Sequence, residues 1–475
     1  MGNALPPGPR QSSFTTTWHW MRRPFEFLEE AQARYGDTFT IDILSLPPLV
    51  VFSHPDAVKE VFSDDGDLLH AGRFNQSLKA FLGDHSTLML DGKEHLRHRR
   101  LLLPPFHGER MHAYGQPMLD VSDDIIDAWP RGRPFSLHEH MQSITVRVIV
   151  QNVLGIEDRR ELDAVSATLA ALIDMAAWPP LLIPAMRKDL GPWSPWGRFV
   201  RQTRAADAVL YDLIARRRRE GTAGRRDVLS LLLDAKDDAG RSMTDAELRD
   251  ELVTLLVAGH ETTATALTWA IRWILATPSI ARRLQEELHA AAGDAPAFAL
   301  GPERIAKLEL LDAVVREALR LQPVVPIVGR IIERPMRLGG YDLPAGVGVV
   351  CSIYLAQRRA AAYADPARFD PDRFLGKKPS PQEFFPFGGG IRRCIGMAFA
   401  LYEMKMVLAR TLARTRLRLA DPDAIRTVRR SITLMPSDGL RVVLESRDPR
   451  ARTATHDARS AGAPRHAPAA PTLTA

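Results

Sequence analysis

The sequence predicts a mainly α fold with a minor β part, built as one large domain with small antiparallel sheets. Three observations carry this. Amphipathic helical patterns broken by Pro and Gly dominate from about residue 55 to 330. Short β-branched or aromatic runs cluster near both ends of the chain, and neither an internal repeat nor a Gly/Ser linker divides its 475 residues.

Taken in order, Thr38–Ile43 and Leu49–Phe52, set around Pro47-Pro48, predict an antiparallel strand pair. Pro179, Pro180, Pro184, Pro192 and Pro195 crowd together with Trp178, Trp193 and Trp196, which marks a loop-rich apolar segment suited to a lid or a docking patch. The best-delimited helix starts at Thr244, where Glu247 completes a capping box, and stops at Pro278. About thirty residues at 1.5 Å each give a rod of roughly 50 Å. His260, Glu261 and Arg272 argue against a membrane span, since a central charge costs roughly 2.5 to 3.5 kcal/mol in lipid. A further helix is expected from Glu303 to Leu321, then strands at Ile331–Leu338 and Val347–Ile353, a last helix at Gly396–Leu412, and strands at Ser431–Leu434 and Leu440–Leu444. Residues 1–19 read as an N-terminal extension, 20–445 as the domain, and 446–475 as a disordered tail.

The formal charge of +6 and pI near 9.4 would fit nucleic acid only if the charge lay on the folded body. From Ser446 onward five arginines and two aspartates contribute half of it, so a nucleic-acid footprint is not expected. The first ten residues, MGNALPPGPR, offer no apolar run for a signal or membrane anchor, and a cytoplasmic protein is expected. Two cysteines are too few for a disulfide framework or a four-cysteine zinc site. Cys351, within an apolar run, reads as a small buried hydrophobe.

Cys394 reads differently. It ends the segment Phe387-Gly-Gly-Gly-Ile-Arg-Arg-Cys394-Ile-Gly396, in which glycines allow a close backbone approach to a flat ligand and a following helix start should lower the thiol's pKa. The spacing of Phe387, Gly390, Arg392, Cys394 and Gly396 resembles the heme-binding signature of the cytochrome P-450 family. The resemblance, from about Trp20 to Glu445, implies that family's fold and a heme b whose iron is held by Cys394.

Other segments fall in the family's order. Glu317 and Arg320 share a helix face and by themselves would be an ordinary ion pair; the resemblance implies a buried structural triad with Arg373 of Phe369-Asp-Pro-Asp-Arg373-Phe374. Ala258-Gly259-His260-Glu261-Thr262 resembles the oxygen-activating segment, with Ala258 and Gly259 leaving room at the heme and Glu261 and Thr262 as the catalytic pair that moves protons for O–O cleavage. His95 and Arg99, four apart on one helix face, together with Arg330 and Arg392, are expected to hold the heme propionates, guanidinium being the better match to carboxylate. Arg97, His98 and Arg100 read as a solvated basic face. Gln357 stands where many relatives have His, which leaves the contacts of that stretch open.

The implied reaction inserts one atom of O₂ into a C–H or C=C bond of a lipophilic small molecule such as a fatty acid, terpenoid or steroid. The chain has no flavin or ferredoxin module, so electrons from NAD(P)H must come through a ferredoxin or flavodoxin-type donor and its reductase. An acidic donor is expected to dock near Arg393, Arg97 and Arg100 of a monomeric enzyme. Two alternatives are a peroxide-driven peroxygenase, which would not need the Glu261–Thr262 pair, and a non-catalytic heme gas sensor. The substrate pocket is expected to draw on Leu78–Leu90, Ala177–Trp196, Leu255, Ala258, Val324–Val328 and Leu434–Pro436.

Overall fold

The computed structural model describes residues 5–448 apart from 65, 177–186, 192, 378 and 431–432. Most of the loop-rich segment, and all of the tail after Asp448, lie outside the described residues. Helices form the bulk. The β part is a five-stranded sheet whose spatial order is Thr38–Ile41, Leu49–Phe52, Gly348–Ser352, Ile327–Ile332 and Leu69–His70, with smaller two- and three-stranded sheets beside it. The predicted N-terminal strand pair is present and antiparallel, Thr38 facing Phe52. Leu49–Phe52 then runs parallel to Gly348–Ser352, so sequence-distant strands join one sheet.

Residues ahead of the predicted domain start lie against it. The Pro6 and Pro7 carbonyls accept from the Thr40 hydroxyl and amide, and a helix, Ser13–Arg22, buries Thr16 and Trp20.

The long helix runs Asp245–Ala276 behind the expected capping box, with the Thr244 amide donating to Glu247 Oε2 at 2.7 Å and the Glu247 amide to Thr244 Oγ1 at 3.2 Å. Pro278 opens the next helix. The rod packs along helix Leu137–Leu154 and against helices Glu309–Leu321 and Met397–Arg414 through the main apolar core. The helix expected over Glu303–Leu321 is two pieces, Pro302–Ile305 and Glu309–Leu321. The break is stable because Glu287 accepts from the otherwise free amides of Leu310, at 2.7 Å, and Leu311, at 3.0 Å. The strand expected over Ile331–Leu338 is likewise divided into Ile327–Ile332 and Met336–Leu338, the Glu333 amide between them being drawn to the Leu68 carbonyl.

Because two amide groups depend on the capping box, Thr244→Ala should lower unfolding stability by about 1 kcal/mol and Thr244→Ser by much less, as read from urea midpoints.

Candidate functional site

The Phe387–Gly396 loop folds back on itself through the Cys394 amide, which donates to the Phe387 carbonyl at 2.9 Å. A Cβ on Gly389 would overlap the Phe62 ring, and one on Gly390 the Phe62 backbone. These two glycines are therefore required by the close approach of the helix Pro55–Ser63. Cys394 is exposed, whereas Cys351 is fully buried in its strand with its thiol pushed up to about 12 by burial.

The expected lowering of the Cys394 pKa is not what its surroundings produce. Although the residue is exposed on one side, desolvation by the packed loop raises the thiol, outweighing the Gly396 amide and the guanidiniums of Arg99 and Arg393. The helix begins at Met397 with Gly396 as its N-cap, and the sulfur faces its amino end through the Gly396 amide. Ionisation of this thiol is left to a bound metal cation, which deprotonates a coordinating thiol outright.

Three guanidiniums and one imidazole from three separate elements converge nearby. His95 and Arg99 come from helix Gly92–Leu102, Arg330 from its strand, and Arg392 from the loop. His95 is 2% exposed, its Nδ1 has no partner, and its pKa is pushed down to about 3 by burial and then by Arg392, Arg99 and Arg330. Arg330 is buried and bonds only the Gly329 carbonyl, at 2.8 Å. Among the described residues neither Arg99 nor Arg330 has a carboxylate partner. Arg392 is held by the Thr87 carbonyl at 3.0 Å and by Asp91 Oδ1 at 2.5 Å. Cations buried without counter-charge are costly. A ligand with two carboxylates beside a metal suits this donor set, and the propionates and iron of heme meet that description.

Midway along the long helix, where neighbouring turns are buried, Ala258 is exposed and Thr262 half-buried. The Thr262 hydroxyl donates to the Ala258 carbonyl at 2.6 Å, the back-bonded arrangement that loosens a helical ladder. At Gly259 a Cβ would overlap Ile149 Cδ1, so the absence of a side chain there lets helix Leu137–Leu154 approach. Glu261 turns toward helix Leu137–Leu154, accepting from Gln142 at 2.6 Å and lying 3.4 Å from His138 Nε2. Burial raises its pKa, but His138, Arg430 and Gln142 together hold the carboxyl below its usual range. His260 bonds Thr145 at 2.9 Å and is pushed down to about 4 by burial.

Glu317 and Arg320 are fully buried and paired in fork geometry, at 2.7 and 2.9 Å, with Arg373 Nε 3.5 Å from the same carboxylate. The remaining Arg320 N–H groups reach the carbonyls of Gln357, Pro366 and Arg368. Gln357, whose contacts the sequence left open, donates to the Leu319 and Arg320 carbonyls and accepts from the Phe385 amide at 3.1 Å. It thus ties the triad helix to the start of the cysteine loop.

Sequence reasoning also missed Asp91. It stands where a helix cap would, but its carboxylate reaches back to the Gly72 and Arg73 amides and across to Arg392. The solvated face assigned to Arg97 and His98 is corrected. Arg97 pairs with Asp237 and Glu247 at 2.8 and 2.6 Å, and buried His98 with Glu251 at 2.7 Å. Arg100 is exposed and paired to Asp238. Of the two arginines expected at a donor's docking face, Arg97 is largely buried in its ion pairs, and Arg100 is exposed.

A family profile described as Cytochrome P450 matches residues 6–443. A protein of Mycobacterium tuberculosis carrying the name cytochrome P450 135B1 is 38% identical over 97% of this chain and 95% of its own length. One named cytochrome P450 135A1 from the same species is 35% identical over 93% of this chain and 96% of its own. Among solved structures, a retinoic acid-bound cyanobacterial CYP120A1 superposes with a TM-score of 0.79 at 24% identity, covering 94% of this chain and 100% of that one. The heme domain of cytochrome P450DA gives 0.80 at 23% identity over 94% and 97%.

Glu317→Ala strands two guanidiniums, one of them fully buried, and should cost about 3 to 5 kcal/mol. Gln357→Ala should cost about 1 to 2 kcal/mol, since it removes hydrogen bonds between neutral groups. Denaturant titration of both variants checks the order.

Proposed function

We propose, from the premise that the chain belongs to the cytochrome P450 family of heme-thiolate monooxygenases, that it oxidises lipophilic small molecules with electrons from a separate donor protein. The observation that carries the site assignment is the convergence of His95, Arg99, Arg330 and Arg392 near the exposed Cys394. Arg99 and the Cys394 sulfur feel one another electrostatically, which places cation cluster and thiol in one neighbourhood. Heme b, bound through that sulfur, supplies the oxidising chemistry: with dioxygen, two electrons and two protons, one oxygen atom enters the substrate and the other leaves as water.

This chain's residues do the rest. Arg99, Arg330 and Arg392 neutralise and orient the two propionates, while His95 donates a hydrogen bond as a neutral ring. The Thr262 hydroxyl, released from the Ala258 carbonyl, presents a proton to the oxygen side of the site, and Glu261, an ionised carboxylate facing Gln142 and His138, resupplies it only after turning from their helix and taking up a proton from water. Ala258 keeps that side open. Arg320 and Gln357 hold the Phe385–Cys394 loop in shape from behind.

The lipophilic substrate class is supported by which segments meet beside the long helix. Thr254 bonds Ser86 at 2.6 Å, bringing the Leu78–Leu90 stretch against it. The Trp269 ring nitrogen bonds the Leu434 carbonyl at 2.8 Å, and the Leu434 amide bonds Val324 at 3.0 Å. The side chains so gathered are mainly apolar.

Charge supports one docking face for the donor. A cavity of about 980 Å³ opens beside Phe62 and Phe385, lined by Lys59, Lys307, Arg316, Lys377, Arg393 and Lys405 against the two carboxylates Glu309 and Asp312. An acidic iron–sulfur or flavin protein fits that rim, and Arg97 and Arg100 have no part in it.

Cys394→Ser should abolish the red-shifted carbon monoxide difference band; a variant that retained the band would remove this sulfur from the site. Thr262→Ala should keep the band yet divert reducing equivalents to peroxide, lowering product per NAD(P)H by about tenfold or more, as measured by paired peroxide and product assays.

A further inference from the structure

The N-terminal helix Ser13–Arg22 is amphipathic in the wrong sense for a water-exposed surface. Its inward positions are Thr16 and Trp20, whereas its outward positions are Phe14, Trp18 and Met21, the first two 68% and 52% exposed. On a helix these recur at four and three residues and form one stripe. The tight turn at Leu44, Ser45 and Leu46 extends it: both leucines are exposed, Ser45 holds a left-handed φ of 67°, and the Leu44 amide donates to Thr17 Oγ1 of the helix at 2.9 Å. Five large apolar side chains thus stand outward on two adjoining elements. Single exposed hydrophobics are ordinary, but a contiguous group calls for an occupant.

Charge selects it. Residues 1–25 contain three arginines and no carboxylate. Arg10 and Arg22 are exposed at the stripe's two ends, and Arg22 lies 4.8 Å above the Trp18 ring. Arg23 is paired with Glu30 and leaves no free charge, and Asp42 is an exposed carboxylate beside the leucine turn. The strand Thr427–Arg430 packs on the inward side of the same helix, with Arg429 over the Trp20 ring, and adds no charge to the stripe. A stripe of Phe, Trp, Met and Leu bordered by arginine is the pattern of a helix lying in a membrane interface, aromatic rings at headgroup depth and guanidiniums at the phosphates. A second copy fits less well, because a two-fold contact through this stripe would set the same arginines against each other.

We propose that helix Ser13–Arg22 and the Leu44–Leu46 turn form a peripheral docking surface for an anionic lipid bilayer. No described helix is long and apolar enough to cross a membrane, so the contact is one of lying on the surface. It is independent of the redox chemistry and of which residues hold the heme.

The test is flotation of the heme-loaded full chain with vesicles of phosphatidylglycerol and phosphatidylcholine in equal parts, against phosphatidylcholine alone. The protein should float with the anionic vesicles, less so with the neutral ones, and less at raised salt. A Phe14→Ser/Met21→Ser variant and, separately, a Leu44→Ser/Leu46→Ser variant should each weaken partitioning by about tenfold, with the carbon monoxide difference band unchanged as the check on folding. Arg22→Glu should weaken it as well. Failure to float, or partitioning that neither pair of substitutions alters, overturns the proposal. So does a concentration-dependent dimer, abolished by the Phe14/Met21 pair, in place of flotation, since the occupant is then another copy.

Discussion

The carboxylate of Glu317 is the point on which the cysteine loop rests. It is fully buried, and so is Arg320, which answers it in a two-pronged pair; Arg373 and the Asp370 amide fill the same oxygen's remaining capacity. Arg320 then spends its other N–H groups on three carbonyls of the 357–368 stretch. Such a pair adds little net stability compared with apolar packing, but any displaced member leaves a charge stranded in a low dielectric. The arrangement therefore penalises alternatives more than it favours the native state. Through Gln357 this rigidity passes to Phe385, and from there along the glycine turn to Cys394.

The electrostatics around Cys394 show how a site can be prepared for a ligand without being comfortable alone. Packing raises the thiol pKa, Arg330 is buried with Asp91 and Asp64 acting on it without a direct ion pair, and His95 is kept neutral by burial and by the cations about it. Each of these is a local cost that an iron with two carboxylates would relieve. Binding free energy and correct geometry are thereby linked, because only a group carrying charges in those relative positions relieves all of them together.

The sequence made some of this legible and concealed the rest for a physical reason. The capping box at Thr244 and the Glu317–Arg320 pair are contacts between residues three apart, which helix periodicity dictates. Cys394 was legible because few settings surround a thiol with glycine and arginine. By contrast, the Arg392–Asp91 bond joins residues 301 apart, and nothing local marks Asp91 as other than a cap. Gly259 and Gly389 also clear Ile149 and Phe62, distant side chains that a single chain read in order cannot place. The direction of the Cys394 shift was misjudged because burial, a property of the assembled fold, outweighed the helix end that the sequence did show.

Asp91 has one more consequence. Its two oxygens fasten the amides of Gly72 and Arg73 on one side and the guanidinium of Arg392 on the other, while Arg392 also grips the Thr87 and Leu90 carbonyls. The stretch from 72 to 91 is therefore closed on itself through Asp91, which is joined in turn to a residue two places from Cys394. Any outward movement of this stretch pulls on Arg392 as it does so, and the position of residues 72–91 and the set of the cysteine loop become one mechanical variable.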